Sequence, residues 1–291
     1  MSIIDQTIAI AERWYEAILR VPARRKLAQL EPSSAECTAI KAALLGTLNG
    51  VRTAEEQAWI NRIEARRIGL NSSKEEVTVT DYGAVKRYVR LSAEEMYRGT
   101  LVRKTIGSVS RQLSKSPFWS FVLFRLIREL KPRTCLELGT ALGISGSYQA
   151  ASLKLNCVGT LVTLEGAAPF AAIAEAGFQF LKLNNTLVVP GRFQDTLSQV
   201  LRQHAPIDYA FIDGHHDGAA TQEYFEQIAG AAAETAIFVL DDISWSRGMK
   251  QAWRYIISDE RTRISFDLGG IGICILSRHI STQQHIRVRM G

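Results

Sequence analysis

The chain is poor in cysteine, and none of it is paired in sequence: Cys37, Cys135, Cys157 and Cys274 show no C-x-x-C spacing. That excludes a thiolate metal site or a redox dithiol, and leaves buried free thiols in a reducing compartment as the expectation. No apolar run reaches membrane-spanning length, and Asp5, Glu12 and Glu16 interrupt the N-terminal apolar stretch where a signal peptide would carry no acid. A cytoplasmic protein without membrane contact is expected. Neither an internal repeat nor a low-complexity tract is present. Charge of one sign is also scarce: the net +6 lies wholly in residues 1–115, with 19 Lys+Arg against 13 Asp+Glu, while 116–291 carry 16 of each. Such a surplus, spread over a long helical segment, reads as a solvated surface, so nucleic acid is not an expected partner. With 46% apolar residues in 291, one large or two smaller packed domains are expected.

The most informative stretch is Thr134-Cys-Leu-Glu-Leu-Gly-Thr-Ala-Leu-Gly143. An apolar strand runs into a glycine-bracketed turn and then a helix, so backbone can approach a ligand closely where no Cβ intrudes. Farther on, the run Gly159-Thr-Leu-Val-Thr-Leu ends in Glu165, where an α/β fold places the carboxylate that accepts from ribose hydroxyls. A nucleotide-like cofactor suits that layout. The dinucleotide fingerprint G-x-G-x-x-G is not met, because Ala141 holds the middle glycine position. Glu137, two residues before the first glycine, would repel a pyrophosphate and attract a cationic amino group.

The motif resembles the E-x-G-x-x-x-G signature of class I methyltransferases, whose cofactor is S-adenosylmethionine. That resemblance implies Gly139, Thr140 and Gly143 around the methionine part, Glu137 beside its amino group and Glu165 on the ribose. Gly191, Arg192 and Phe193 would then meet the adenine, ordinary core being the competing place for Phe193. Further landmarks follow in order: a helical stretch Pro169 to Phe180, an apolar run from Leu187, Ile207-Asp-Tyr-Ala-Phe-Ile-Asp213, and Ala236-Ile-Phe-Val-Leu-Asp-Asp-Ile243. Strands alternating with helices predict an α/β fold with a doubly wound, mainly parallel sheet. Two closing runs, Arg263 to Leu268 and Gly270 to Ser277, read as an antiparallel hairpin at the sheet edge. The resemblance spans roughly residues 115 to 280 and implies seven strands in all, preceded by a helical N-terminal region.

In that region, taken as residues 1–112 ahead of a catalytic domain over 113–291, Ile4, Ile8, Ala11, Tyr15 and Ile18 mark one face of an amphipathic helix. Capping boxes Ser33 to Glu36, Thr53 to Glu56 and Ser92 to Glu95 mark helix starts, and Val77 to Thr80 an extended piece before a bend at Asp81-Tyr-Gly83. The stripe Trp14, Tyr15, Trp59 and Ile63 suits core or a homodimer interface. A buried helix is predicted from Phe118 to Leu130, with Ser116 or Trp119 candidates for the cofactor site and core packing the alternative for Trp119.

Chemistry is expected at the carboxyl ends of the parallel strands. Asp213, Asp241 and Asp242 fall there, and adjacent carboxylates call for a cation or a shared proton; a hard ion such as Mg²⁺ would neutralise them. The trio resembles that of metal-dependent O-methyltransferases acting on catechols and on sugars of macrolide and aminocoumarin products, where it holds a metal. Alternatively Asp213 meets the cofactor and one of Asp241 and Asp242 caps a helix. His215 is the candidate general base, His216 facing the adenine side or doing nothing chemical. Trp245 walls the acceptor site or anchors at the surface. The expected reaction is methyl transfer to a hydroxyl oxygen of a small-molecule acceptor. N-methylation is weakened because Asp213-Gly-His-His216 stands where an Asn/Asp-Pro-Pro-aromatic tetrapeptide would, and a nicotinamide dehydrogenase by Ala141, Glu137 and the closing hairpin. A non-catalytic cofactor-binding scaffold is the remaining alternative.

Overall fold

A computed structural model describes residues 20–81 and 99–290. The predicted helix on Ile4 to Ile18, the residues Trp14 and Tyr15, the bend at Tyr82-Gly83 and the capping box Ser92 to Glu95 lie outside the described residues.

Three helices come first: α1 (Val21–Gln29), α2 (Ala35–Leu48) and α3 (Ala54–Ser72). Ser34, one residue later than predicted, caps α2 by accepting from the Cys37 amide. The box that opens α3 is present as read, Thr53 Oγ1 accepting from the Glu56 amide and Glu56 Oε2 from the Thr53 amide. An antiparallel ribbon follows, β1 (Glu76–Asp81) with β2 (Thr100–Thr105). The sequence showed only its first strand, because Arg103 and Lys104 break the alternation of the second. Helices α4 (Ile106–Leu113) and α5 (Pro117–Leu130) lead into the sheet, Ser116 capping α5 with Pro117 in its first turn.

The sheet strands are β3 (Thr134–Leu138), β4 (Thr160–Glu165), β5 (Thr186–Pro190), β6 (Ile207–Ile212), β7 (Ala232–Leu240), β8 (Thr262–Asp267), β9 (Gly272–Ser277) and β10 (Gln284–Arg287). Their order is β10-β8-β9-β7-β6-β3-β4-β5, with β9 antiparallel to both its neighbours and every other pair parallel. Intervening helices are α6 (Ile144–Asn156), α7 (Ala168–Phe180), α8 (Phe193–His204), α9 (Gly218–Gly230) and α10 (Arg247–Ser258). The sheet therefore has eight strands, not seven. The hairpin forms as predicted, but its β9 inserts beside β7, and the edge belongs to β10, whose Gln-His-Ile-Arg carries too little apolar periodicity to be read.

Alternation along the strands builds two cores. Cys135, Ile237 and Val239 face one side with α5 and α6, whereas Leu136, Leu138, Phe238 and Leu240 face the other with α8, α9 and α10. The N-terminal helices share the first core: Leu27, Ile40, Leu44 and Ile63 pack in one apolar cluster with Phe121 and Phe124. Trp59 lies against that cluster with the Arg62 guanidinium 4.3 Å from its ring centre. Three cysteines are buried, but Cys157 is exposed, because it ends α6 in a left-handed turn. Among the described residues no helix is long and apolar enough to cross a membrane.

Glu56 ties the two parts together. Its Oε1 accepts from Arg125 Nη1 (3.3 Å) and Arg128 Nε (3.1 Å) of α5, and its side chain is 2% exposed. Removing it leaves two guanidiniums without their shared anion, so Glu56→Ala should lower the unfolding free energy by about 3 kcal/mol in urea titrations. A loss below about 1 kcal/mol would mean that the arginines simply turn to water.

Candidate active site

Because β3 runs to β4 on one side and pairs with β6 on the other, its carboxyl end is the point at which the sheet reverses direction. A cavity of about 570 Å³ opens there, within the range of ligand sites. In-register pairing brings Gly139, Glu165, Asp213 and Asp241 to this edge, since Leu138 lies opposite Leu164 and Ile212, and Ile212 opposite Leu240.

One end is the glycine loop. Gly139 has φ +105°, and a Cβ there would lie 2.0 Å from the Asp213 carbonyl oxygen, so only glycine allows the loop to cross the end of β6. The amides of Gly139 and Thr140 donate to the Leu164 carbonyl. Ala141 is left-handed, and its amide donates to Glu165 Oε2 at 2.8 Å, while Glu165 Oε1 accepts from the Ala167 amide at 2.8 Å. Thr140, Ala141, Glu165, Arg192 and Phe193 all line the cavity. Burial pushes the Glu165 carboxyl up to about 7, against the backbone donors that pull it down. Phe193 lines the cavity and also packs edge-on against Tyr224 in the core. Gly143 and Gly191 shape turns, with φ +77° and +135°, without facing the cavity.

Glu137 sits one layer below. It is fully buried, Oε1 accepting from Gln149 Nε2 (2.6 Å) and Oε2 from Thr163 Oγ1 (2.6 Å). Ser145, a further hydrogen-bond partner, connects it to the cavity wall. Burial pushes its carboxyl up to about 7, outweighing those three donors.

From outside, Arg66 of α3 braces the loop. Its Nη1 donates to the Leu142 carbonyl (2.8 Å) and its Nη2 to the Ile173 carbonyl (2.9 Å), and burial lowers its pKa to about 10. Gly177 leaves the room, because a Cβ there would overlap the guanidinium.

The opposite end is a charged cluster. Asp213 and Asp241 meet the ammonium of Lys115, which contacts Asp241 Oδ2 and lies 3.3 Å from Asp213 Oδ1. His216 completes the group, Nε2 4.0 Å from Asp213 Oδ1 and Nδ1 3.5 Å from Asp242 Oδ2. Burial and the neighbouring Asp241 push the Asp213 carboxyl up; for Asp241 burial acts the same way, but Lys115 and Asp213 outweigh it and hold the carboxyl below its usual range. Asp213 is thus the readier of the two to hold a proton and Asp241 the readier to stay ionised beside the ammonium.

His215 points elsewhere. Its Nδ1 is 2.8 Å from the Tyr224 hydroxyl, and burial lowers its pKa. Of the seven non-glycine residues with positive φ among those described, Ala141, His215, His216 and Asp242 lie at this cavity, a concentration of backbone strain typical of working sites. Ser116 and Trp119 stand outside the lining, which takes Ser114 and Lys115 instead; Trp245 is exposed and outside it too. Lys115 escaped the sequence reading, since one lysine between two serines makes no motif. Val79 and Thr80 of β1 and Lys104 of β2, which wall the mouth, left no signal either.

The donors able to hold a metal ion are Asp213, His216 and Asp241, within 4.8 Å of one another, and Asp242 is not among them. An imidazole with two carboxylates is not the all-oxygen set that suits Mg²⁺. Lys115 already pairs with both carboxylates, so a divalent ion would have to displace its ammonium. The residues do not fit Mg²⁺.

Residues 136–243 match the model of a methyltransferase domain family. The fold is similar to that of an O-methyltransferase from Bacillus cereus in complex with S-adenosylhomocysteine (23% identity, TM-score 0.50, covering 57% of this chain and 83% of that one). A Podospora anserina methyltransferase with S-adenosylhomocysteine bound is also similar (16%, TM-score 0.51, 78% and 98%), as is a putative caffeoyl-CoA O-methyltransferase from Staphylococcus aureus (17%, TM-score 0.50, 56% and 85%). No curated protein matches the sequence.

The buried Glu137 generates a pH dependence. Its folded pKa of about 7 lies above the ordinary 4.5, so the native state holds its proton longer than the unfolded chain, and stability falls as pH rises from about 4.5 to 7. The fall due to Glu137 should be on the order of 3 kcal/mol, and Glu137→Gln should flatten it in urea unfolding compared at pH 5 and pH 8. An identical slope in the variant would show that the proton resides elsewhere.

Proposed function

On the premise of the class I methyltransferase fold that this chain carries, we propose that it transfers a methyl group from S-adenosylmethionine to a hydroxyl oxygen of a small molecule. One observation carries this reading: a single cavity joins a carboxylate beside a glycine loop, Glu165, to a lysine, carboxylate and imidazole cluster at its far end. The oxygen acceptor is supported by the O-methyltransferases that share the fold.

The cofactor supplies a methyl group already activated on a sulfonium. Glu165, its carboxylate fixed by the Ala141 and Ala167 amides, retains lone pairs for the ribose hydroxyls. The Phe193 ring and Arg192 flank the adenine, while Thr140 and Ser145 line the methionine end, with Glu137 acting on it from below through Ser145. Holding donor and acceptor in line can be worth about 7 to 11 kcal/mol.

The proton is taken by His216 rather than by His215. Burial favours the neutral imidazole, whose lone pair is then available, and Asp242 and Asp241 stabilise the imidazolium once the proton arrives. His215 is engaged by Tyr224 and holds the turn after β6. Residues 20–81 and 99–112 pack on the catalytic domain and, through Val79, Thr80 and Lys104, build the wall facing the acceptor.

Calorimetry should show S-adenosylmethionine binding and no comparable NAD binding, and labelled methyl should pass to some member of a panel of catechols, phenols and sugars. Binding of NAD alone, or no product with any hydroxylated acceptor, would overturn the reading. His216→Ala should lower kcat by about 10²- to 10⁴-fold with cofactor affinity nearly unchanged, and His215→Ala by less than about tenfold. The reverse ranking would return the base to His215.

A further inference from the structure

We propose that Lys115 is the resident cation of the acid cluster, holding the carboxylates that a divalent ion would need, and that the site works without metal. For the reaction this rests on the methyltransferase reading; for the cation it rests on geometry alone.

The ammonium hydrogen-bonds Asp241 and forms an ion pair with Asp213, the two carboxylates that a metal would also need, and all three side chains are at most 16% exposed. Nor is it a surface lysine that has swung inward. Its own carbonyl accepts from Arg67 Nη1 (2.6 Å) and Ser120 Oγ (3.2 Å), which fix the short link between α4 and α5. Arg67 is in turn buried and clamped by both oxygens of Glu64, whose Oε1 also accepts from the Tyr148 hydroxyl. A chain of ordered groups from α3 through α6 therefore sets where the ammonium stands.

The chemistry of an ammonium suits the task. It carries three donors, of which one goes to Asp241 while Asp213 pairs with it by charge, so donors remain for an acceptor oxygen. As the hydroxyl loses its proton to His216, the negative charge develops beside a permanent positive one in a site largely closed to water. A divalent ion would supply that charge through two oxygens of a chelating substrate. A lysine supplies it through one, so this site should not require paired hydroxyls on its acceptor.

The test removes the ammonium and asks whether a metal moves in. Mn²⁺ binding is measured by electron paramagnetic resonance on the full chain, without cofactor or acceptor, for wild type, Lys115→Met and Lys115→Ala. The wild type should bind no stoichiometric Mn²⁺, whereas the variants should expose Asp213, His216 and Asp241 and bind one ion roughly 100-fold more tightly or better. Adding Asp241→Asn to Lys115→Met should abolish the gain. One equivalent bound by the wild type and lost in Asp241→Asn would overturn the proposal, and so would variants that fold, as circular dichroism reports, yet bind no better than wild type. If neither variant folds, the wild-type titration decides alone. With an acceptor in hand, wild-type turnover should survive EDTA, and loss in chelator restored by Mn²⁺ would count against the proposal. An absence of S-adenosylmethionine binding would sink the methyltransferase reading while leaving the metal titration intact.

Discussion

The structure depends on one close approach, where the loop after β3 crosses the end of β6. The Asp213 amide donates to the Leu138 carbonyl, and Gly139 passes over the Asp213 carbonyl with no room for a side chain. That contact locks two parallel strands in register just where they stop pairing. Everything chemical follows from it: Glu165 to one side on β4, Asp213 and Asp241 to the other, all at one height along the sheet edge. A slip of one residue would send each of these side chains to the opposite face.

What the sequence could reveal was whatever repeats or caps. Strands β3, β4, β6 and β7 are apolar over most of their length because both faces are covered, and runs of that kind stand out against helical neighbours. The Thr53 and Glu56 box was legible because it is a local device. The partner strand Thr100–Thr105 and the short β10 were not, as their hydrogen bonds come from distant chain and their composition is polar. The same division runs through the site. Glu165 and the aspartates follow apolar strands and so announced themselves. Lys115 reaches them from a link more than 90 residues away in sequence, and only tertiary structure brings it in. The sequence favoured His215 over the adjacent His216 as the base, and only the backbone, left-handed at both, shows that the ring facing the acids is His216.

Glu137, fully buried, and Glu165, half-buried at the cavity wall, show how one environment can serve distinct ends. Both are pushed up to about 7 by burial, yet Glu165 meets backbone amides at the cavity wall, whereas Glu137 meets Gln149 and Thr163 beneath it. A carboxyl poised near neutrality under a cationic ligand can release its proton on binding, so charge need not be stored in the empty cradle.

Helix α3 holds the catalytic sheet at separated places: Arg62 on the Leu181 carbonyl, Arg66 on those of Leu142 and Ile173, and Arg67 on that of Lys115. Such a helix behaves as a spine shared by both halves rather than as an appended module. Protein engineers who exchange the β1 and β2 ribbon alone would keep this arginine row, whereas a transplant that took α3 with it would remove the side chains that hold the backbone at Leu142, Ile173 and Lys115.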